Sequence, residues 1–541
     1  MISVSKRYEE LDGSSINTQI RTLHDEVGRR TFPRKPNATF QQTLNFTDLI
    51  LEENYDSTLR RYLLDASNGM VSMLLPVGDQ GFSLAPPNRL KNDDAAKKFH
   101  AECTEELVYQ TRSNSNFLDS VGEATLEWWT FGTSGLYREW SERKERLHYR
   151  SLMVNTYVLS QNPEGDIDEV YVRMSYTARN AAKEWGAEKL PAEIRDKLEQ
   201  AGGEAESEDE YVVGVFEVHD FDDAEIKKLA KGRRWLMIAE HKSTKTVVDS
   251  VPFHENPFSF GRWATITGVP YGFSPVWLIL PEVRRLYRMQ ELADKIGLAS
   301  LAPPIVALSK YKGQINRGPT GVTYVDDMQD APIVMSSAAA DYRIGLERIV
   351  DAKKDIGDAL HQDFFKLFTG ADKLPETATL AQLMDAERAA QIGTPYQRYT
   401  QEFLAPQLVG SWKTLYRQGK MPEPPDSLIV GEDQVTGQAD VETPSVAFEN
   451  RLVNALKSVE NIAISQWYDT IGRVVGEIAP EEIKANFNWS ELTRGTFRNG
   501  VKNEGYVESL ADAEEVKEAM VQAAQQAQEL QQAEQIAGMQ R

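Results

Sequence analysis

The sequence predicts an α+β fold, mainly helical, from three observations. Two stretches, 281–302 and 341–368, repeat apolar residues at spacings of three and four and enclose a strand-rich insert at 303–340. A block over about 149–251 alternates as half-buried strands do. The flanking regions, including an Ala-, Gln- and Glu-rich C-terminal stretch, read mostly as helix.

In chain order, residues 17–75 read as helical, with Leu44, Leu49, Leu51, Tyr55, Leu59, Leu63 and Leu64 on helical spacings. Gly78, Gly81, Pro86 and Pro87 mark an irregular loop. Helices follow over 93–113 and 117–131. Gly132-Thr133-Ser134-Gly135 then leads into a strand. A glycine pair can cradle a phosphate, but this spacing fits neither a P-loop nor a dinucleotide fingerprint, so a plain turn is the simpler reading. Strands around Tyr157 and Val172 flank the turn Asn162-Pro163-Glu164-Gly165-Asp166, a hairpin pattern. A short helix follows Thr177. Residues 202–210 read as an acidic loop, and strands return at 211–218, 235–240 and 246–251.

The first long helix opens at Pro281, where a missing N–H is harmless, and its stripe is Leu286, Met289, Ala293, Ile296 and Ala299. Pro303-Pro304 stops it. The second carries Tyr342, Leu346, Ile349, Ile356, Leu360, Phe364 and Leu367 on one face. At about 1.5 Å per residue it would be roughly 42 Å long. Glu347, Asp351, Lys354 and Asp358 step by four, three and four, so they share another face. That face is either simply solvated or lines an aqueous passage. Residues 379–420 read as helix, 426–445 as mixed, and 447–476 and 509–537 as helix.

Of 541 residues, 26% are charged and 41% hydrophobic, ordinary values for a soluble globular protein of more than one structural unit. The single cysteine, Cys103, excludes an internal disulfide framework and a multi-cysteine zinc site, and fits a reducing compartment. No stretch approaches the roughly 20 apolar residues of a membrane span, and the first seven residues lack an apolar run of signal-peptide length. The net charge of −22 argues against a protein that grips nucleic-acid phosphates. It leaves open one that nucleic acid slides past; the plain alternative is solubility.

Enzyme signatures are missing. There is no Walker-type loop, no His-Glu-x-x-His and no Gly-x-Ser-x-Gly elbow, and the seven histidines lack ligand spacing. Carboxylates are so abundant that pairing two for glycoside hydrolysis is uninformative.

Taken together and in order, several segments resemble the portal, or head-to-tail connector, proteins of short-tailed bacteriophages. They are Gly132-Thr133-Ser134-Gly135-Leu136, and Gly165-Asp166-Ile167-Asp168-Glu169-Val170-Tyr171-Val172-Arg173 with Thr177-Ala178-Arg179. Next come Glu255-Asn256-Pro257-Phe258, Arg262-Trp263 and Gly268-Val269-Pro270-Tyr271-Gly272, then Leu404-Ala405-Pro406-Gln407-Leu408-Val409 and Gly419-Lys420-Met421-Pro422. Related chains often carry a basic residue after the Tyr-Gly pair, where Phe273 stands here.

The resemblance implies a homo-oligomeric, dodecameric ring around a channel. Residues 1–280 would form the wing, 281–302 and 341–368 the two stem helices, and 303–340 the clip. Residues 369–377 would be the tunnel loop, 378–445 the wing's long helix and return, and 446–541 a helical crown. Channel-lining candidates are Glu347, Asp351, Lys354 and Asp358; the tunnel loop offers Gly370, Asp372, Lys373 and Leu374; the clip offers Lys310, Lys312, Arg317 and Tyr324 to a tail adaptor. Implied partners are double-stranded DNA, the terminase large subunit, the tail adaptor, and the major capsid and scaffolding proteins. No cofactor, metal, membrane or catalysis is implied. The place would be the virion's portal vertex, and the host cytoplasm during assembly. The alternatives are another virion structural protein, such as an adaptor or ejected internal protein, and a cell-wall hydrolase.

Overall fold

The computed structural model describes residues 3–31, 56–76, 80–199, 206–221, 223–301, 342–362, 393–432 and 438–448, with isolated positions between 305 and 334. The chain divides into two compact units, Met1–Leu374 with Arg388–Asn450, and Pro375–Glu387 with Arg451–Arg541; the described residues belong to the first.

Among the described residues, five helices come before the two larger sheets: α1 (Val4–Asp12), α2 (Ser15–Arg30), α3 (Thr58–Leu74), α4 (Asp94–Arg112) and α5 (Phe117–Phe131). Between α3 and α4 lies a short strand, β1 (Phe82–Ala85). Ser3 and Ser14 cap α1 and α2 by accepting from the N–H groups of Lys6 and Asn17. α5 ends on Gly132, whose φ of +85° is left-handed, and the chain turns directly into β2 (Thr133–Ser141). A Cβ there would stand 2.4 Å from the Ser274 nitrogen and 2.6 Å from the Gly272 oxygen, so only glycine fits. The plain-turn reading of this glycine stretch is therefore what forms.

β2 is the middle of a three-stranded antiparallel sheet with β3 (Arg146–Leu152) and β9 (Phe258–Arg262). A five-stranded antiparallel sheet runs in simple order through β4 (Tyr157–Gln161), β5 (Ile167–Thr177), β6 (Glu208–Glu217), β7 (Trp235–His241) and β8 (Thr246–Phe253). β4 and β5 form the expected hairpin, with Gly165 at φ +94° and the Asn162 N–H donating to the Asp166 carbonyl at 2.9 Å. Between strands sit α6 (Ala178–Trp185), α7 (Ala192–Glu199) and α8 (Ala224–Ala230).

Alternation along the five strands buries both faces. Val170, Val172, Tyr211, Val213 and Val215 join Trp185, Ile194, Phe258 and Phe260 on one side. Tyr171, Val212, Phe216, Leu236 and Ile238 join Val4 and Tyr8 of α1 and Ile226 of α8 on the other. α1 is further held by the buried Glu240 carboxylate, which accepts from the Val4 N–H at 2.7 Å and the Ser3 hydroxyl at 2.8 Å.

Two long helices follow, α9 (Leu280–Leu301) and α10 (Tyr342–Ala359), with the two-residue strands β10 (Ile305–Val306) and β11 (Ile333–Val334) paired antiparallel between them. Helix over 393–398 then runs into a π-helical turn, Tyr399–Leu404, and α11 (Ala405–Arg417). Three short strands close the described part: β12 (Ile429–Glu432), β13 (Ala439–Val441) and β14 (Ser445–Phe448).

Four expectations need correction. The second long helix does not run unbroken over 341–368: it stops at Ala359, and His361 sits at φ +51°. Leu360 is fully buried there and the Gln362 amide donates to the Tyr62 carbonyl at 2.7 Å, so tertiary anchoring overrides helical periodicity. Ala447 and Phe448 are strand, not helix, because β14 pairs with β1 (Ser83↔Ala447, Phe82↔Phe448). Glu208–Glu210 belong to β6 rather than to a loop, pairing with Thr177, Tyr176 and Ser175. Leu346, placed in the apolar stripe of the second helix, is exposed. The expected helical segments at 32–55, 363–368, 379–392, 449–476 and 509–537 lie outside the described residues.

Candidate functional site

α9 and α10 pack against each other. Arg285, near the start of α9, meets Asp355, near the end of α10, at 3.6 Å. With the β10–β11 ladder at the other ends, this makes the pair an antiparallel hairpin of helices.

The root is buried and pinned. Val283, Leu286, Ala352 and Ile356 are fully enclosed. The Tyr287 hydroxyl lies 3.1 Å from the Arg30 carbonyl and 3.0 Å from that of Asp56. The Arg284 guanidinium donates to Glu26 at 2.6 Å, and that bond, with a lesser one from Arg30, holds the Glu26 carboxyl below the usual carboxylate range. Lys353 reaches the buried Asp56 carboxylate at 2.7 Å. Burial pushes the Asp56 carboxyl up, but the hydrogen bonds from Lys353 and Thr58 outweigh it, and the net shift is downward. Four groups, two from α2 and two from Asp56 just before α3, thus grip both helices.

Beyond the root the surface changes. Leu292 and Ile296 on α9 are 57% and 38% exposed, and Leu346 and Val350 on α10 are 42% and 64% exposed. Each pair is four residues apart, so each helix presents an apolar strip to solvent. Glu347, Asp351, Lys354 and Asp358 are all exposed along α10. They form one polar face, as their spacing implied. Periodicity gave no sign of the exposed strips or of the root pins, because it marks a face but not what covers it. Gly370, Asp372, Lys373 and Leu374, and Lys310, Lys312, Arg317 and Tyr324, lie outside the described residues.

The segments that carry the resemblance sit mainly at joints of the fold. The Thr133 hydroxyl accepts from the Gly272 N–H at 2.8 Å, and the Trp263 N–H donates to the Gly132 carbonyl at 2.9 Å. Arg262 forks onto Glu402 at 2.9 and 3.1 Å, and Glu255 pairs with Arg417 at 2.7 Å and Lys413 at 3.3 Å. Trp263 packs on Trp128 and Trp129 with ring centroids 4.4 and 4.3 Å away. The Phe273 ring, in place of a basic residue, meets Trp277 edge-on at 4.9 Å. Among the described residues no cluster of His, Cys, Asp and Glu is placed to hold a metal, and no helix is long and apolar enough to cross a membrane.

A family model described as bacteriophage head to tail connecting protein matches residues 3–499. The chain belongs to that family. Among curated relatives, this connector-family chain is 24% identical over 371 residues to the portal protein of Salmonella phage epsilon15, covering 67% of this chain and 65% of that one. It is 22% identical over 435 residues to the probable portal protein of Bordetella phage BPP-1, covering 79% and 75%. The first match spans just under two thirds of the epsilon15 protein.

Proposed function

We propose that this connector-family chain is a portal subunit that assembles side by side with identical copies into a ring around a channel for double-stranded DNA. The observation that carries this is the helix hairpin α9–α10: fastened at its root, bare and apolar beyond it, with a separate charged face. An apolar strip on both helices is the surface that identical neighbours would bury, at about 1.5–3 kcal/mol for each large side chain fully covered. The same rotation turns Glu347, Asp351, Lys354 and Asp358 toward the axis. In this reading α9 and α10 are the stem, 303–340 the clip facing a tail adaptor, 369–377 a tunnel loop touching DNA, and 446–541 a crown within the capsid. The ring sits at one vertex of the virion and receives terminase during packaging and the adaptor afterwards.

Mass measurement of the purified particle, with images of it, tests the reading. A ring with a central hole, expected to be dodecameric, supports it; a stable monomer at assembly concentrations refutes it. A ring structure with Glu347, Asp351 and Asp358 buried between subunits or on the outer face would remove their role at the channel.

A further inference from the structure

Among the described residues, five other than glycine take left-handed backbone: Glu145, Asn155, Lys231, Lys245 and His361. Glu145 and Lys245 sit in the β2–β3 and β7–β8 turns, Asn155 in the turn from β3 to β4, and Lys231 just past α8. A left-handed residue is ordinary at such places. His361, at φ +51°, differs because it interrupts a helix. α10 stops at Ala359, the His361 N–H closes onto the Asp358 carbonyl at 3.1 Å, and the backbone is helical again at Gln362.

Nothing local asks for this break. The sequence has no proline between 342 and 374 and no glycine from 358 to 369. Leu360, Phe364 and Leu367 continue the helical spacing of Ile349 and Ile356. The break is held from outside instead. The Gln362 amide donates to the Tyr62 carbonyl of α3 at 2.7 Å, and Leu360 is fully buried. Gly357 lies so near that a Cβ on it would stand 3.3 Å from the Tyr62 ring. The hold carries two costs. His361 bears the crowding of left-handed backbone. Gln362 is 1% exposed, and its Oε1 accepts from no group among the described residues. A continuous helix would remove the first cost and release the second.

We infer that Leu360–Gln362 is a two-state elbow. Latched to α3, it turns the chain; with the Gln362–Tyr62 bond broken, α10 runs on straight through His361. A shift of α3 against the α9–α10 hairpin therefore redirects the chain as it leaves the root. α3 is placed for that coupling, since Asp56, just before its start, is pinned to Lys353, about two turns ahead of the elbow on α10.

The test is the distance between spin labels on the full chain carrying Arg348→Cys and Lys366→Cys, diluted into unlabelled chain so that only distances within one subunit count. The native Cys103 is fully buried, with its thiol pushed up to about 11 by that burial, and stays unlabelled. One unbroken helix would set the labelled positions about 27 Å apart. The parent should show a shorter main distance. His361→Val keeps helix propensity nearly unchanged but excludes left-handed backbone, so it should move the main population to about 27 Å. Gln362→Ala removes one hydrogen bond from the elbow and should raise the long-to-short ratio about 2- to 12-fold. His361→Gly relieves the crowding and should leave the short distance alone. The inference is overturned if the parent already sits at 27 Å, or if Gln362→Ala leaves the ratio unchanged. It is also overturned if His361→Val keeps the short distance or gives a broad spread with no long peak, or if His361→Gly gains the long one. None of these outcomes depends on ring formation, by which the portal reading is judged.

Discussion

Asp56 is where single side chains bear most directly on the helix hairpin. Its carboxylate is almost wholly buried and is met by Lys353 at 2.7 Å and by the Thr58 N–H at 2.7 Å. Removing Lys353 leaves a buried anion with only Thr58 to donate to it, and Lys353→Met should destabilise the fold by about 1 kcal/mol, the low end for an under-satisfied buried group. The pH dependence follows from the sign of the shift. The folded pKa of Asp56 lies below its unfolded value of about 3.9, so its contribution is present above that pH and lost as pH falls through the folded value. Chemical denaturation between pH 5 and about pH 2 should therefore show Lys353→Met losing less stability than the parent. Equal losses would mean the pair is not what depresses Asp56. Gly132 is a harder constraint. Gly132→Ala would force a side chain into left-handed backbone and against two backbone atoms at 2.4 and 2.6 Å. A loss of about 3 kcal/mol or more is expected, read as a fall in melting temperature or in soluble yield.

For the helices, the sharpest contrast lies along α9 and α10 themselves. Leu292 and Val350 are more than half exposed in one subunit, so L292D/V350D should change the subunit's own stability by no more than about 0.5 kcal/mol. If these strips are where copies meet, the same variant should shift particle mass from ring to monomer. A ring of unchanged mass would place the contact elsewhere. Much of this architecture is legible in the sequence. Alternation through Val170, Tyr171 and Val172 marks a strand, and Pro163 and Gly165 mark its hairpin, because strand period and turn chemistry are local. What escapes is whatever depends on distant chain. β14 is four residues long and exists through its ladder with β1, so a helical pattern starting at Ala447 reads past it. The end of α10 at Ala359 carries no Pro and no Gly at His361; it is set by Leu360 and Gln362 docking beside α3. Leu346 fits an apolar stripe by spacing and still faces solvent, since periodicity cannot say where a helix outruns its own core.

Taken as a body of charge, the chain is strongly acidic, and the arrangement of that charge can be tested apart from its amount. At −22 per subunit, a ring would present a negative wall wherever its carboxylates line a hole. Screening confines the repulsion to about 8 Å at physiological salt, so it acts on DNA only near the wall and centres it without holding it. Glu347, Asp351 and Asp358 are exposed on α10, so E347K/D351K/D358K should fold and assemble as the parent does. The change reverses three charges in every copy and, if these residues line the channel as proposed, would replace a repelling lining with one that binds phosphate. Packaging by a purified motor into procapsids carrying the variant should slow several-fold at low salt. Added salt should narrow the gap, because phosphate contacts weaken as counterion release becomes less favourable. Deleting 370–374 gives a separate reading of the tunnel loop: packaging and genome retention should both fall. If charge reversal leaves the packaging rate unchanged at low salt while rings still form, the carboxylate face is ordinary solvated surface and the channel is lined by other residues.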